Sequence, residues 1–290
     1  MTNEIIDIEF KNKKKEYSFE IMTLQSLFQR KLNHLLTESH RLGFYLIMII
    51  EKGNGTHSID FNEYKYSNGS IFTIGKNQIH KYAINKDTKG YQIVFTDDFM
   101  VKYYDEKQVF NSQLPFNDAV YSPKYQLAEN QLNEILGIVQ NLYFEYHNTN
   151  DDDYKSPIIR SGLHVLLMKL ERFKQQEVPR KMDANFSYFF RFKKLVDEKC
   201  FLTRNVTDYC NELSFNQKRL NLITKSILNK TAKEFIDDRT ILEIKRLLSN
   251  TNSPIKEIAY KAGFDEPTNL VKYFKNHTTI SPSDFRNSLK

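Results

Sequence analysis

The 290 residues predict an α+β chain of more than one domain: an N-terminal all-β barrel or sandwich with appended helices, then an all-α domain. Three observations carry that expectation. Short strand-like runs separated by Gly and Asn turns fill residues 43–100. After Pro123 apolar residues recur at steps of three and four, the period of a helix face. In the last hundred residues two helix–turn–helix patterns follow one another, with a long helical stretch between them.

The β-like region opens with Gly43-Phe44-Tyr45-Leu46-Ile47-Met48-Ile49-Ile50, followed by the turn signal Gly53-Asn54-Gly55. Ile59 and Phe61 then alternate with polar neighbours up to a second turn at Asn68-Gly69. Further runs at 70–74, 78–84 and 91–96 are separated by Gly75 and by residues 87–90. Strands of this length and spacing favour an all-β barrel or sandwich over βαβ units. Leu132, Ile135, Leu136, Val139, Leu142, Tyr143 and Tyr146 mark one apolar helix face. A second helix is expected over about 157–176, with Leu163, Leu166, Leu167, Leu170 and Phe173 apolar. These two helices either close the open side of the barrel or form a dimer interface, and the two roles are compatible. The polar stretch 177–185, which holds Pro179, is expected to be the linker between domains 1–176 and 186–290.

Charge is divided unevenly. The formal net charge is +6. Residues 181–290 hold 20 Lys+Arg against 13 Asp+Glu, a net of +7, and the other 22 Lys+Arg and 23 Asp+Glu leave residues 1–180 at −1. The basic excess therefore lies with the helix pairs, as expected of a segment that meets phosphates. A solvated lysine-rich surface is the plain alternative. No apolar run approaches the roughly 20 residues that span a bilayer, and residues 4–9 are too acidic for a secretory signal. The expectation is a cytoplasmic protein with no membrane partner. Cys200 and Cys210 are not in a C-x-x-C arrangement and no histidine is near them, so they read as reduced, packed thiols.

The second helix pair is the clearer one: Ser253-Pro254-Ile255-Lys256-Glu257-Ile258-Ala259-Tyr260-Lys261-Ala262-Gly263-Phe264-Asp265, then Glu266-Pro267-Thr268-Asn269-Leu270-Val271-Lys272-Tyr273-Phe274-Lys275. Ser253 suits an N-cap and Pro254 a first helical position, where its missing N–H costs nothing. Ile255, Ile258, Ala259 and Ala262 form the buried stripe, and Gly263 supplies a left-handed turn. Asp265 is expected to cap the next helix. Leu270, Tyr273 and Phe274 face inward there, leaving Thr268, Asn269, Lys272 and Lys275 outside. The first pair, about 48 residues upstream, places Asn205 and Asn216 at N-cap positions. Its second helix is anchored by Leu220 and Ile223 and exposes Gln217, Lys218, Asn221 and Lys225. Amide and small side chains flanked by cations suit base-edge reading with phosphate contacts alongside. Residues 232–249 form the connector, with Phe235, Ile236, Ile241, Ile244, Leu247 and Leu248 available for burial. For two successive major grooves it has to hold the reading helices about 34 Å apart.

At these residues the chain resembles the DNA-binding domain of AraC/XylS-type transcriptional regulators. The matching stretches are Thr231-Ala-Lys-Glu-Phe-Ile236, Arg239-Thr-Ile-Leu-Glu-Ile-Lys-Arg-Leu-Leu248, Ile255-Lys-Glu-Ile-Ala-Tyr260, Gly263-Phe264-Asp265, Phe274-Lys275 and Ile280-Ser-Pro-Ser-Asp-Phe-Arg286. The resemblance implies seven helices, with recognition helices over 217–228 and 266–276. It implies base-reading positions near Lys218, Asn221 and Leu222 in the first, and near Pro267, Thr268, Asn269, Val271 and Lys272 in the second. Leu222 stands where Arg is frequent, so fewer bases are expected to be read by the first helix. Asn229 and Thr279 replace loop glycines, and Leu270 replaces a common Phe. The N-terminal part resembles the cupin-like effector and dimerisation barrel of such regulators. That implies a cupin-like β-barrel fold and a small-molecule effector. The apolar stripes of residues 124–176 suggest a homodimer through them, and the regulator family as a whole implies double-stranded DNA and RNA polymerase as partners. A ligand-independent dimerisation module is the alternative for this half.

Cupin barrels also host metal enzymes. His57, Asp60 and His80 converge only if several strand registers cooperate, and a metal needs at least three convergent ligands. His34, His40, His147, His164 and His277 are dispersed and form no pattern with a Ser or Cys nucleophile, and no phosphate-binding glycine loop occurs. No catalytic residue, metal or cofactor is therefore expected. The competing class, a cupin-type enzyme with a degenerate helical tail, predicts metal-dependent turnover requiring His57 and His80. A regulator predicts salt-sensitive binding to a defined duplex.

Overall fold

A computed structural model describes residues 6–10, 18–29, 38–83, 85–102, 106–177, 184–251 and 253–289. Two compact units divide the chain, residues 6–179 and residues 180–290. Most of the expected linker, 178–183, lies outside the described residues, as does His34.

In the first unit, strands β1 (Ile6–Ile8), β3 (His40–Leu42), β5 (Gly55–Ile59), β6 (Asn62–Tyr66) and β8 (Ile79–Tyr82) form a sheet of order β1-β3-β8-β5-β6. A second sheet, from β2 (Phe19–Thr23), β4 (Tyr45–Lys52), β7 (Ser70–Ile74), β9 (Lys89–Phe95) and β10 (Lys124–Gln126), has order β10-β7-β4-β9-β2. Pairing is antiparallel except between β1 and β3. The expected cupin-like barrel is not formed. Each sheet stays open, ending at β1 and β6 in one case and at β10 and β2 in the other, and the two stack as a sandwich.

The reason lies in which faces are covered. Alternate side chains of β4 point to opposite sides. Leu46, Met48 and Ile50 join Leu42, Ile59, Tyr66, Phe72 and Tyr82 in a core between the sheets. Tyr45, Ile47 and Ile49 join a second core against α4 (Glu129–Asn148) and α5 (Lys155–Glu177). Leu132, Ile135, Leu136, Val139, Leu142 and Tyr146 of α4 pack there beside Ile159, Leu163, Leu166, Leu167, Leu170 and Phe173 of α5. The second sheet is thus buried on both faces, which explains the uninterrupted apolar run from Tyr45 to Ile50. Helices take its outer face, so the sheets stack as layers rather than curling until their edges meet. Short helices α1 (Leu24–Phe28), α2 (Asp97–Val101) and α3 (Glu106–Gln113) and a 3-10 turn at Leu114–Phe116 complete this unit among the described residues.

The second unit is all helical: α6 (Ala184–Lys199), α7 (Val206–Leu213), α8 (Gln217–Leu228), α9 (Ala232–Asn250), α10 (Ile255–Lys261), α11 (Pro267–Thr278) and α12 (Pro282–Ser288). Helix α9 starts with a capping box. The Thr231 hydroxyl accepts from Glu234 N–H at 3.2 Å, and a Glu234 carboxylate oxygen accepts from Thr231 N–H at 2.7 Å. Its Ile236, Ile241, Ile244 and Leu248 are buried, and α7, α8, α10, α11 and α12 all pack on it. Arg239 pairs with Asp197 at 2.8 Å, tying α9 to α6. Cys200 and Cys210 are buried and unbridged, and burial pushes the Cys200 thiol up to about 12, with Glu243 and Asp197 adding to it. A thiol so rarely ionised is a small packed side chain. Among the described residues no helix is long and apolar enough to cross a membrane.

Candidate nucleic-acid interface

Each helix pair is built by local capping. Asn205 accepts from Thr207 N–H at 3.1 Å to start α7, and Asn216 accepts from Arg219 N–H at 2.8 Å to start α8. In the second pair α10 begins one residue later than the Ser253 cap implies, with Pro254 as the non-helical flanking residue. Helix α11 begins at Pro267 behind Glu266, whose side chain makes no capping hydrogen bond, so Asp265 is not the cap. Pro at the first position has no N–H to leave orphaned.

On α8, Leu220, Ile223 and Thr224 are buried, whereas Gln217, Lys218, Leu222 and Lys225 are exposed. Two amides on this helix are already engaged. Gln217 Nε2 donates to Thr207 Oγ1 at 2.8 Å, and the half-buried Asn221 accepts at Oδ1 from Ala232 N–H at 2.9 Å. Asn221 therefore bonds the first turn of α9 as well as sitting beside Leu222, which is 61% exposed. Arg219 stacks on the ring of Phe215, 4.3 Å from its centroid, and on that of Tyr188 at 5.1 Å. On α11, Leu270 and Phe274 are buried, Pro267 is half-buried, and Thr268, Asn269, Val271, Lys272 and Lys275 are exposed. Tyr273, expected inside, is half-buried and donates to Asp237 Oδ1 at 2.7 Å.

The cations sort into two groups. Lys193, Lys199, Lys230 and Lys233 are ion-paired with Asp197, Glu212, Asp238 and Asp237. Lys218, Lys272 and Lys275 form no ion pair among the described residues. Lysines with no carboxylate partner, on the outer faces of α8 and α11, keep their charge available for phosphate. Sequence reasoning did not find Arg204. It donates to the Ala262 and Gly263 carbonyls at 2.9 and 2.8 Å, a contact across 58 and 59 residues that no local pattern announces.

Three histidines meet between the sheets of the first unit. His40 pairs in register with His80 across β3 and β8, and Ile59↔His80 pairing brings His57 to the same place. Ring centroids are 5.4 Å apart for His57–His80 and 6.1 Å for His40–His80. All three are buried, and His40 Nε2, His57 Nε2 and His80 Nδ1 have no hydrogen-bond partner among the described residues. Burial lowers each imidazole: His57 to about 3, His80 well below the ordinary value with His57 and His40 adding to it, and His40 less, because Glu38 opposes. Asp60 is turned elsewhere, accepting from Gln78 Nε2 at 2.8 Å and Ile79 N–H at 3.1 Å. Among the described residues no group of three or more His, Cys, Asp or Glu is disposed to hold a metal.

Two family models match the chain in succession: an AraC-like ligand binding domain over residues 27–151 and a helix-turn-helix domain over residues 209–288. The chain is similar to the HTH-type transcriptional activator RhaR of Enterobacter sp. (strain 638), 21% identical over 250 residues, covering 85% of this chain and 86% of that one. RhaR of Escherichia coli (strain K12) is 19% identical over 251 residues with the same coverage. The crystal structure of ToxT from Vibrio cholerae O395 aligns over 96% of this chain and 99% of its own, at 15% identity and a TM-score of 0.44, too loose a superposition to bear weight. With an AraC-like ligand-binding unit followed by the helix-turn-helix unit, and with relatives matched across both, this chain belongs to the AraC/XylS family: it is a sequence-specific DNA-binding transcriptional regulator and not an enzyme.

Proposed function

We propose that α8 and α11 enter adjacent major grooves, with division of labour along each helix. Asn269 and Thr268 read base edges, Leu222 and Val271 meet thymine methyl groups, and Lys218, Lys225, Lys272 and Lys275 contact phosphates. The observation that carries this reading is the outer face of α11, where Thr268, Asn269, Val271, Lys272 and Lys275 are all exposed on a helix anchored inside by Leu270 and Phe274. Gln217 and Asn221 share the α8 face. Their bonds to Thr207 and Ala232 make them partly structural, so their share of base reading is smaller. Residues 1–176 act as the effector and dimerisation domain, 177–185 as linker and 186–290 as the DNA-binding domain. A small molecule bound by the first unit controls the second. The setting is the cytoplasm, the regulator acts on RNA polymerase, and activation is the favoured direction because the RhaR relatives are named activators.

Binding of the full chain to its mapped operators tests the division of labour. Asn269→Ala is expected to cost about 1–3 kcal/mol at one base position and to relax specificity there. Lys275→Ala is expected to weaken all sequences evenly and to reduce the salt dependence. An identical, sequence-independent loss from both variants would remove the assigned roles.

A further inference from the structure

Between α6 and α7 the chain turns through Phe201-Leu202-Thr203-Arg204-Asn205, and this corner seats on the turn of the other helix pair. The Arg204 fork donates from Nη1 to the Ala262 carbonyl at 2.9 Å and from Nη2 to the Gly263 carbonyl at 2.8 Å. These carbonyls lie past the last turn of α10, where helix geometry leaves oxygens without an internal donor. The guanidinium also lies over the Phe264 ring, 4.1 Å from its centroid, and 6.0 Å from that of Tyr273. The backbones approach as closely. Gly263 has φ +73°, and a Cβ there would stand 1.9 Å from the Phe201 carbonyl oxygen, so any other residue displaces the corner.

The contact continues into the second reading helix. Phe264 packs on Tyr273 of α11 with centroids 5.4 Å apart, and Tyr273 is bonded in turn to Asp237 of α9. The connector α9 packs on helices of both pairs and is one link between them; the Arg204 corner is a second, and the two converge at Tyr273 of α11. One link leaves rotation about the connector axis soft, whereas two fix it.

We propose that Arg204 is a positioning residue that sets the spacing and phase of the two reading helices, so that full affinity demands one base-pair interval between their half-sites. The inference rests on the two-groove reading above. Only a planar, forked cation bonds two neighbouring carbonyls while stacking on a ring, so lysine is an incomplete substitute.

The test titrates the full-length protein against an operator duplex carrying both half-sites. It is repeated on versions with one or two base pairs inserted or removed between them, and on a version with one half-site scrambled. Arg204→Met is expected to lose about tenfold or more at the native interval and to flatten the spacing profile, while binding to the single half-site changes by less than about twofold. Arg204→Lys is expected to fall between the two. Wild-type affinity and profile in the Met variant would overturn the proposal. So would an equal loss on the double and single half-site duplexes with the profile unchanged, which marks a merely structural arginine. Should the Met variant melt below the assay temperature, the Lys variant decides: a broadened profile supports the clamp and an unchanged one overturns it. A wild-type protein indifferent to spacing would instead overturn the two-groove reading itself.

Discussion

His57 is enclosed between two sheets beside Phe72, Tyr82 and His80, and its imidazole stays neutral down to about 3. In the unfolded chain the same ring takes a proton near 6.5. Below that pH the unfolded state binds the extra proton and the native state does not, so the stability of the first unit falls as pH drops from about 6.5 towards 3. His80 and His40 are lowered too and steepen the loss. Each imidazole contributes a slope of up to about 1.4 kcal/mol per pH unit. Denaturant unfolding of the full chain between pH 7.5 and 5 should show the slope, and His57→Gln should remove about one imidazole's share. An unchanged slope in the variant would show that His57 is protonated in the native fold. The sequence raised the convergence of His57 and His80 only as conditional on several strand registers, and His40 counted among the dispersed histidines. Register alone brings them together, and period-2 alternation carries no register between strands 40 residues apart.

Elements whose cause is local were legible. The apolar stripes of α4 and α5, the caps Asn205 and Asn216, and the αL turn at Gly263 follow from residues within one or two turns. Local chemistry also fixes where substitution is strained: Asn229 and Thr279 end α8 and α11 at φ 56° and 68°, so the left-handed turn persists without the usual glycine. Thr279 is β-branched and tolerates that conformation poorly, whereas Asn accepts it. Start points misread by a residue, such as Ser253 and Asp265, concern helices preceding or following proline, where several neighbours fit a cap equally well. The same two long helices carry the assembly proposal. Phe144 of α4 and Ile158 and Val165 of α5 are 60%, 51% and 46% exposed, and Ile158 and Val165 are two turns apart on one face. Apolar side chains repeated on an outer face mark an association surface. Sedimentation of the full chain at micromolar concentration should give a dimer, reduced to monomer by Phe144→Asp with Val165→Asp. A monomeric parent would count against residues 124–176 as the interface.

At the scale of the molecule, the order of units and the strands within residues 43–100 were accessible from pattern, but β1, β2, β3 and β10, which lie outside that stretch, and closure of the sheet were not. Whether edge strands such as β6 and β2 find one another depends on what covers the outer face of the second sheet, and α4 and α5 cover it from positions 40 or more residues after β9 begins. In the helical unit most of the outer faces of α8 and α11 was anticipated, Asn221 and Tyr273 excepted, which are both half-buried. Their joint fixation by Arg204 was not, because it depends on two carbonyls nearly sixty residues away. The proposed function rests on those two faces acting on one duplex. Hydroxyl-radical footprinting of the full-length protein on a mapped operator addresses that most directly. Two protected patches on one face of the duplex are expected, about 10 base pairs apart for each protomer, one weakened by Lys218→Ala and the other by Asn269→Ala. A single patch, sensitive to only one of those substitutions, would contradict the account.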